Sequence, residues 1–527
     1  MLNFFNLVIL AVISALLYVH RVFKKSQQFF DKNAIPYKKP TWLVGNMGEV
    51  LMLKKPLAVL YRDLYQSFEP HRLAGVVVFH KSVIMVRDPE LIKHVLVKDF
   101  SHFVDRGIKV NADVEPLNNH LLSMKGEEWK NLRVKLTSTF TSGKMKLMFP
   151  LVKDCGDKLT QVLSSMPSEP FDVKDLCARF TTDVIGTCAF GIEIHSLENP
   201  DSEFRSMGNQ LFEFRYRSII RTLFPDIPKK IIEFFNLRFI DRKVEDFFYS
   251  IVENTIKHRE ENKITRYDFI DLLLSLKNQT MDKYHDHHDE SEINQYLKQL
   301  GDKSINKPQI DMTLDVMAAQ TFLFFTAGFE TSSTALAYLM FELALNKEIQ
   351  DKVRDEVNSV IENNAEGLTY EALKEMPYVD MAIAEILRKY PPGSFLAREC
   401  TQTYKIPDTN IIIPEKTAII IPVFGIHMDP KYYEKPEEFY PEHFTEEAKA
   451  NRPHYTYMPF GDGPRVCIAE RFAKMQVKIG LISMIRNFSY EISPKMTLPL
   501  TFLPNFGLLA AKNKILLQRK PLGKNEV

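Results

Sequence analysis

The sequence predicts a mainly α-helical chain with a small β region, preceded by one N-terminal transmembrane helix. Three observations agree with that class. Residues 311–345 and 468–485 are long, largely apolar runs with few helix breakers. Residues 75–79 and 83–86 are short valine-rich segments separated by a polar turn. Residues 2–19 are apolar apart from Asn3, Asn6 and Ser14. With 527 residues, 45% hydrophobic and 26% charged, the chain has the composition of a globular protein able to bury a large core. Lys plus Arg number 68 against 67 for Asp plus Glu, so the net charge of +1 lacks the basic footprint of a nucleic-acid binder. The five cysteines (155, 177, 188, 400 and 467) are odd in number and contain no Cys-x-x-Cys pair. That argues against a disulfide framework and fits a reducing compartment.

Residues 1–20 read as a membrane anchor. As a helix, residues 2–19 extend about 27 Å, close to the hydrocarbon thickness of a bilayer. Positive charge follows the apolar stretch, at Arg21, Lys24 and Lys25, and none precedes it. That pattern favours a retained anchor over a cleaved signal and keeps the following chain on the cytosolic side. Residues 21–48 form a basic and proline-rich linker, with Pro36, Pro40 and Gly45, and stiffness follows from that composition. Residues 49–527 remain for the globular part of the chain.

Within that domain, the two valine-rich segments make a hairpin. Asp88-Pro89 then opens a short helix, with Asp as cap and Pro in the first position. Residues 101–125 are loop-like, and 127–140 are helical, which places Trp129 and Arg133 on one face. Residues 205–240 are crowded with aromatic and basic side chains, a pattern shared by core-facing and membrane-facing helices. Residues 277–309 are polar and contain His285, His287 and His288 without metal-ligand spacing, so they read as a solvated loop. The run 311–345 is long enough to cross the molecule, about 50 Å as a helix. Its uncharged part ends at Glu330, so it reads as a buried central helix rather than a membrane span. Glu330 beside Thr331 in that apolar helix is costly to bury without a purpose, although a mid-helix Thr commonly bonds back to a carbonyl one turn earlier. Glu385 and Arg388, three apart, make a helical ion pair.

Chemistry concentrates in Phe460-Gly461-Asp462-Gly463-Pro464-Arg465-Val466-Cys467. A thiol needs help to ionise at neutral pH. Two glycines let amide groups turn towards the sulfur, and the helix that follows adds positive charge at its start. By itself a lone cysteine is most often a core residue. The dense pattern Phe-x-x-Gly-x-Arg-x-Cys outweighs that, and it resembles the haem-binding loop of a cytochrome P450.

Other signatures follow in family order: Trp129 with Arg133, Ala327-Gly328-Phe329-Glu330-Thr331, Glu385 with Arg388, and the segment 436–444. The resemblance therefore covers essentially the whole chain. It implies the cytochrome P450 fold and a microsomal haem-thiolate monooxygenase, most similar to insect detoxification members. In that reading Cys467 is the axial thiolate of haem b. Trp129, Arg133, Arg398 and Arg465 reach the propionates, Phe460 shields the sulfur, and Glu330 with Thr331 guides protons to dioxygen. One oxygen atom enters a lipophilic substrate and the other becomes water. No dinucleotide fingerprint is present, so NADPH is used indirectly, through a flavoprotein reductase, with cytochrome b5 as a further partner. Lys130, Lys135, Lys474 and Lys478 are the expected reductase-docking residues, and the expected location is the endoplasmic reticulum membrane. The substrate cavity is expected from 101–125, 212–239, 322–327, 393–396 and 502–506.

Three positions depart from the family pattern. Trp42 stands where a proline is common, Ala469 where glycine is common, and His443 where an arginine usually joins Glu385 and Arg388. The last implies a less robust core. Two rival functions carry different signatures: a haem-thiolate isomerase or dehydratase needing no external electrons, and a membrane-anchored binding protein without haem. The Glu330-Thr331 pair weighs against the first.

Overall fold

The computed structural model describes residues 4–213, 216–223, 227–278, 310–505 and 507–522. The histidine-bearing segment around 285–288 lies outside them. Twelve described helices of eight residues or more build the molecule: α1 (Phe4–Lys32), α2 (Leu57–Ser67), α3 (Gly126–Thr137), α4 (Ser142–Ser165), α5 (Val173–Ile185), α6 (Tyr216–Leu223), α7 (Arg242–Asn262), α8 (Phe269–Lys277), α9 (Leu314–Leu345), α10 (Lys347–Asn363), α11 (Pro377–Lys389) and α12 (Glu470–Ile485).

The local expectations hold where short-range chemistry sets them. Strands β1 (Leu73–Val78) and β2 (Lys81–Val86) form the hairpin, in register from Leu73 opposite Val86 to Val78 opposite Lys81. Asp88 caps the next helix by accepting the Leu91 amide at 3.0 Å. Thr313 does the same for α9 through Val316.

The β region is less local than the sequence suggests. Together with the hairpin, β3 (Phe171–Asp172), β4 (Leu396–Glu399), β5 (Tyr404–Lys405), β6 (Ile412–Ile413), β7 (Ala418–Ile421), β8 (Phe488–Ile492) and β9 (Leu516–Pro521) make three sheets of four, three and two strands. The largest sheet has the order β1-β2-β7-β4, in which β7 pairs parallel with β2 and antiparallel with β4. The N-terminal hairpin is thus completed by strands more than three hundred residues away. Through β4, this sheet carries Arg398 into the interior.

Helix α9 is the axis of the core. At 32 residues it spans about 48 Å. It packs against α5, α7, α10, α11, α12 and β8, and its residues from Ser332 to Leu343 are all buried. Helix α1 runs past residue 20 to Lys32, so residues 21–32 are helical and not the start of an extended linker. No helix breaker interrupts this stretch. Phe23, Ser26 and Phe30 recur on one face and are buried, with Phe30 lying over Gly75 of β1. Among the described residues no helix is long and apolar enough to cross a membrane.

Candidate active site around Cys467

The sequence 460–467 folds into a tight loop around a single 3-10 turn at Gly463–Arg465, for reasons visible in its glycines. Gly461 and Gly463 have φ of +77° and +68°, and a Cβ on Gly463 would lie 1.9 Å from the Leu96 carbonyl oxygen. Only glycine fits there. Asp462 accepts the Gly463 amide at 2.6 Å, and Cys467 N donates to Phe460 O at 2.9 Å, which closes the loop. Ala469 has an ordinary backbone conformation, φ −102°, at the start of α12. The methyl group in place of a glycine hydrogen therefore introduces no backbone strain.

Cys467 opens onto two adjoining cavities of about 190 and 320 Å³. Both are lined by Leu122, Phe324, Ala327, Phe460, Cys467 and Ala469. The sulfur is reached from the cavity yet enclosed by protein, and that enclosure pushes the thiol pKa up. The Ala469 amide and the charges of Arg133 and Arg106 pull it back down. The expected activating features are present, but in the protein alone burial outweighs them.

The cationic side of the site contains the predicted residues and one more. Trp129 is buried, and the Arg465 guanidinium lies 3.9 Å from its ring centroid. Arg133, one turn further along α3, lines the smaller cavity with them. Arg465 also ties the loop above the cavity in place. Its Nε, Nη1 and Nη2 donate to the carbonyls of Val104, Leu121 and Met124, and it faces Asp105 at 3.6 Å. Arg398 is buried, donates to Ala397 O, and leaves Nε without a hydrogen-bond partner among the described residues. Arg106 joins this group in the cavity lining and donates to Arg465 O at 3.1 Å. Sequence reasoning placed it only in a substrate loop, since a single loop arginine carries no periodic signal.

Burial and the neighbouring Arg133 lower the Arg106 pKa to about 10. Burial and Arg106 lower that of Arg398 to about 9. Desolvated guanidinium groups that repel one another around an apolar cavity are costly without an anion between them. A planar, apolar group carrying two carboxylates at one edge fits this arrangement, with Cys467 as the sulfur donor. The residues present therefore fit haem.

Helix α9 supplies another wall. Thr331 lines the larger cavity and donates its hydroxyl to Ala327 O at 2.5 Å. Successive helical residues point about 100° apart, so Glu330 turns aside. Its carboxylate lies 2.9 Å from Lys174 Nζ, while the same ammonium donates to Ser333 and Thr334. The acid and alcohol are adjacent in sequence but do not touch in the structure. The space beside Gly328 is filled by Ile185 of α5.

Among the residues expected in the substrate cavity, Leu121, Leu122, Phe324, Ala327, Gly393 and Leu396 line it. Phe502 instead packs towards Tyr390 and Phe424. Phe212 reaches Phe329 with ring centroids 5.9 Å apart, and Phe506 lies outside the described residues.

The family model for cytochrome P450 matches residues 35–519. The chain belongs to the cytochrome P450 family. Relatives similar over nearly full length include probable cytochrome P450 6a23 of Drosophila melanogaster, 37% identical over 97% of this chain and 98% of that protein. Cytochrome P450 6k1 of Blattella germanica is 38% identical over 97% and 95%. Cytochrome P450 6A1 of Musca domestica is 37% identical over 94% of each chain. All three are insect proteins. This cytochrome P450 is accordingly a haem monooxygenase.

In this cytochrome P450 Thr331 and Ser332 are α9 alcohols that line the larger cavity. Thr331→Ala is expected to leave the carbon monoxide difference band intact. It should reduce product formed per NADPH consumed by on the order of tenfold. An unchanged product yield would remove Thr331 from proton delivery.

Proposed function

We propose that this cytochrome P450 oxidises lipophilic small molecules, xenobiotic or endogenous, at the endoplasmic reticulum membrane. The observation that carries the substrate class is the larger cavity. Its wall from Leu122, Phe324, Ala327, Ala335, Leu387 and Leu396 is aliphatic and aromatic, and it reaches Cys467. When bound, haem supplies activation of dioxygen and accepts the electrons for it. The chain's own residues do the rest. Arg106, Arg133, Arg398 and Trp129 hold the anionic edge of the cofactor, and Phe460 covers the sulfur. The apolar wall excludes water, and the Thr331 hydroxyl positions a proton donor. Glu330 faces Lys174 instead of the cavity and is not assigned to this relay.

Membrane attachment is supported by the exposed Leu10, Ile13 and Leu17 of α1 and by the exposed Ile231, Phe234 and Phe235. Their exposure favours the membrane-facing reading over core packing.

NADPH-derived electrons enter through a flavoprotein reductase, with cytochrome b5 as a second donor. Lys474 supports docking, being 44% exposed beside the 460–467 loop. A groove of about 1030 Å³ lies next to it, lined also by Lys374, Lys449 and Arg452. Lys478 does not belong to this surface. It is buried and held by Asp380 at 2.9 Å and by the Leu373 carbonyl. Lys135 donates to Ile310 O and is also partly withdrawn. Lys474→Glu is expected to lower reductase-driven turnover severalfold at low ionic strength and to leave peroxide-driven turnover unchanged. Equal loss in both assays would remove Lys474 from docking.

The substrate class is tested by turnover with reductase and NADPH across terpenoids, fatty acids, steroids and insecticide-like aromatics. Oxidised products from at least one class are expected. Conversion of hydroperoxides without NADPH, and of nothing else, would instead establish an isomerase or dehydratase.

A further inference from the structure

Helix α12 begins at Glu470, three residues after Cys467, and its first two turns carry an ion pair. Lys474 Nζ donates to Glu470 Oε1 at 2.6 Å, one helical turn apart. On a solvated helix face such a pair is common and adds little to stability.

Three observations set this pair apart. The Lys474 ammonium lies 5.6 Å from the centroid of the Phe460 ring, within cation–π range. Phe460 belongs to the loop of the sulfur: its carbonyl accepts the Cys467 amide at 2.9 Å, and both residues line the two cavities. Lys474 itself lines the larger of those cavities and also the surface groove. Its side chain is therefore part of the wall between the space at Cys467 and the exterior.

The two charges are 44% and 36% exposed, so solvent screens them only in part. Glu470 lines neither cavity and acts on the loop through its field. Burial does most to raise the Cys467 thiol pKa, and this carboxylate adds to the rise. Burial and Glu470 likewise push up the Asp462 carboxyl, so the field reaches across the loop. Arg133 and Arg106 oppose it at the sulfur from the cavity side, and Lys474 opposes it by direct contact.

We propose that Lys474 is a positioning residue that acts through Glu470 on the charge at Cys467, and so holds up the reduction potential of the bound haem. Taking up an electron adds negative charge to the cofactor and its sulfur ligand. A cation beside them favours that state and an anion disfavours it. The proposal rests on the haem-thiolate reading of the site and is independent of reductase docking.

Spectroelectrochemistry of the holoprotein tests it, with small redox mediators in place of reductase and at low ionic strength, where these charges are least screened. Lys474→Met keeps an apolar stem beside Phe460 and removes the charge. It is expected to lower the potential by about 28 mV, a threefold change in the one-electron equilibrium. Glu470→Gln should raise it by a similar amount. The double variant should return close to the wild-type value, because opposite charges leave together, and Lys474→Arg should retain that value. Loss of packing alone would not give opposite signs. An unchanged potential in either single variant, shifts of the same sign, a double variant that keeps either shift, or a Lys474→Arg potential as low as that of Lys474→Met would overturn the proposal. If Lys474→Met fails to fold, Glu470→Gln alone decides: a raised potential supports the pairing, and an unchanged or lowered one overturns it. A wild-type protein without the carbon monoxide band would overturn the haem reading itself, and the proposal with it.

Discussion

Replacing Cys467 with Ala is expected to abolish the carbon monoxide difference band and to reduce NADPH-dependent turnover to background. Cys467 is the cysteine that opens onto the cavities, whereas Cys155, Cys177, Cys188 and Cys400 are buried in the protein. Burial raises the pKa of all four, and none can substitute as ligand. The effect should be on ligation, not on folding, because the loop is closed by backbone bonds and glycine geometry that Ala leaves intact. A matched circular dichroism spectrum would confirm that separation. Survival of the band in the variant would show that another group supplies the axial ligand.

Glu385→Gln is expected to destabilise the protein by about 3–5 kcal/mol, the usual cost of removing one partner from a buried charge pair. That is a large share of the roughly 5–15 kcal/mol that holds a typical domain folded. Arg388 and Glu385 are both completely buried and form two parallel bonds of 2.7 and 2.6 Å. Arg388 also donates to the carbonyls of His427 and Glu438, which pins the segment leading to the 460–467 loop. Burial alone would raise the Glu385 pKa, but hydrogen bonds from Arg388 and His443 outweigh it and hold the value below the ordinary 4.5. A depressed carboxyl contributes stability above its unfolded pKa and loses it as pH falls through the folded one. Thermal melts of the wild type should therefore decline below about pH 4.5, and those of Glu385→Gln should decline less steeply. An unchanged melting temperature in the variant at neutral pH would contradict the role given to this pair.

His443 modifies the expectation of a weaker core at this place. Its Nδ1 faces both Glu385 oxygens at 3.2 Å and its Nε2 faces the Glu434 carbonyl at 2.7 Å. Through Nδ1 the ring takes the place of the arginine beside Glu385, with one nitrogen instead of a planar fork.

Much of the site was legible from the chain alone because its chemistry is dense and local. Eight consecutive residues carry the sulfur, its shield and its glycine turn. Trp129 and Arg133 fall on one face of α3 by helical spacing. The Asp88 cap, the hairpin and the long central helix likewise follow from neighbours within a few residues. Tertiary structure decided what depends on rotation and on distant partners. It brought Arg106 in beside Arg133 and Arg398, and turned Glu330 away from Thr331 onto Lys174. It buried Lys478, docked the end of α1 on the sheet, and placed β7 between β2 and β4. These contacts join residues separated by tens to hundreds of positions, and no spacing rule reports on them. The motif around Cys467, through its resemblance to the family's haem-binding loop, was enough to name the chemistry expected there. Only the packed chain settles which charges surround it, because a guanidinium or carboxylate takes its role from the partners that burial forces upon it.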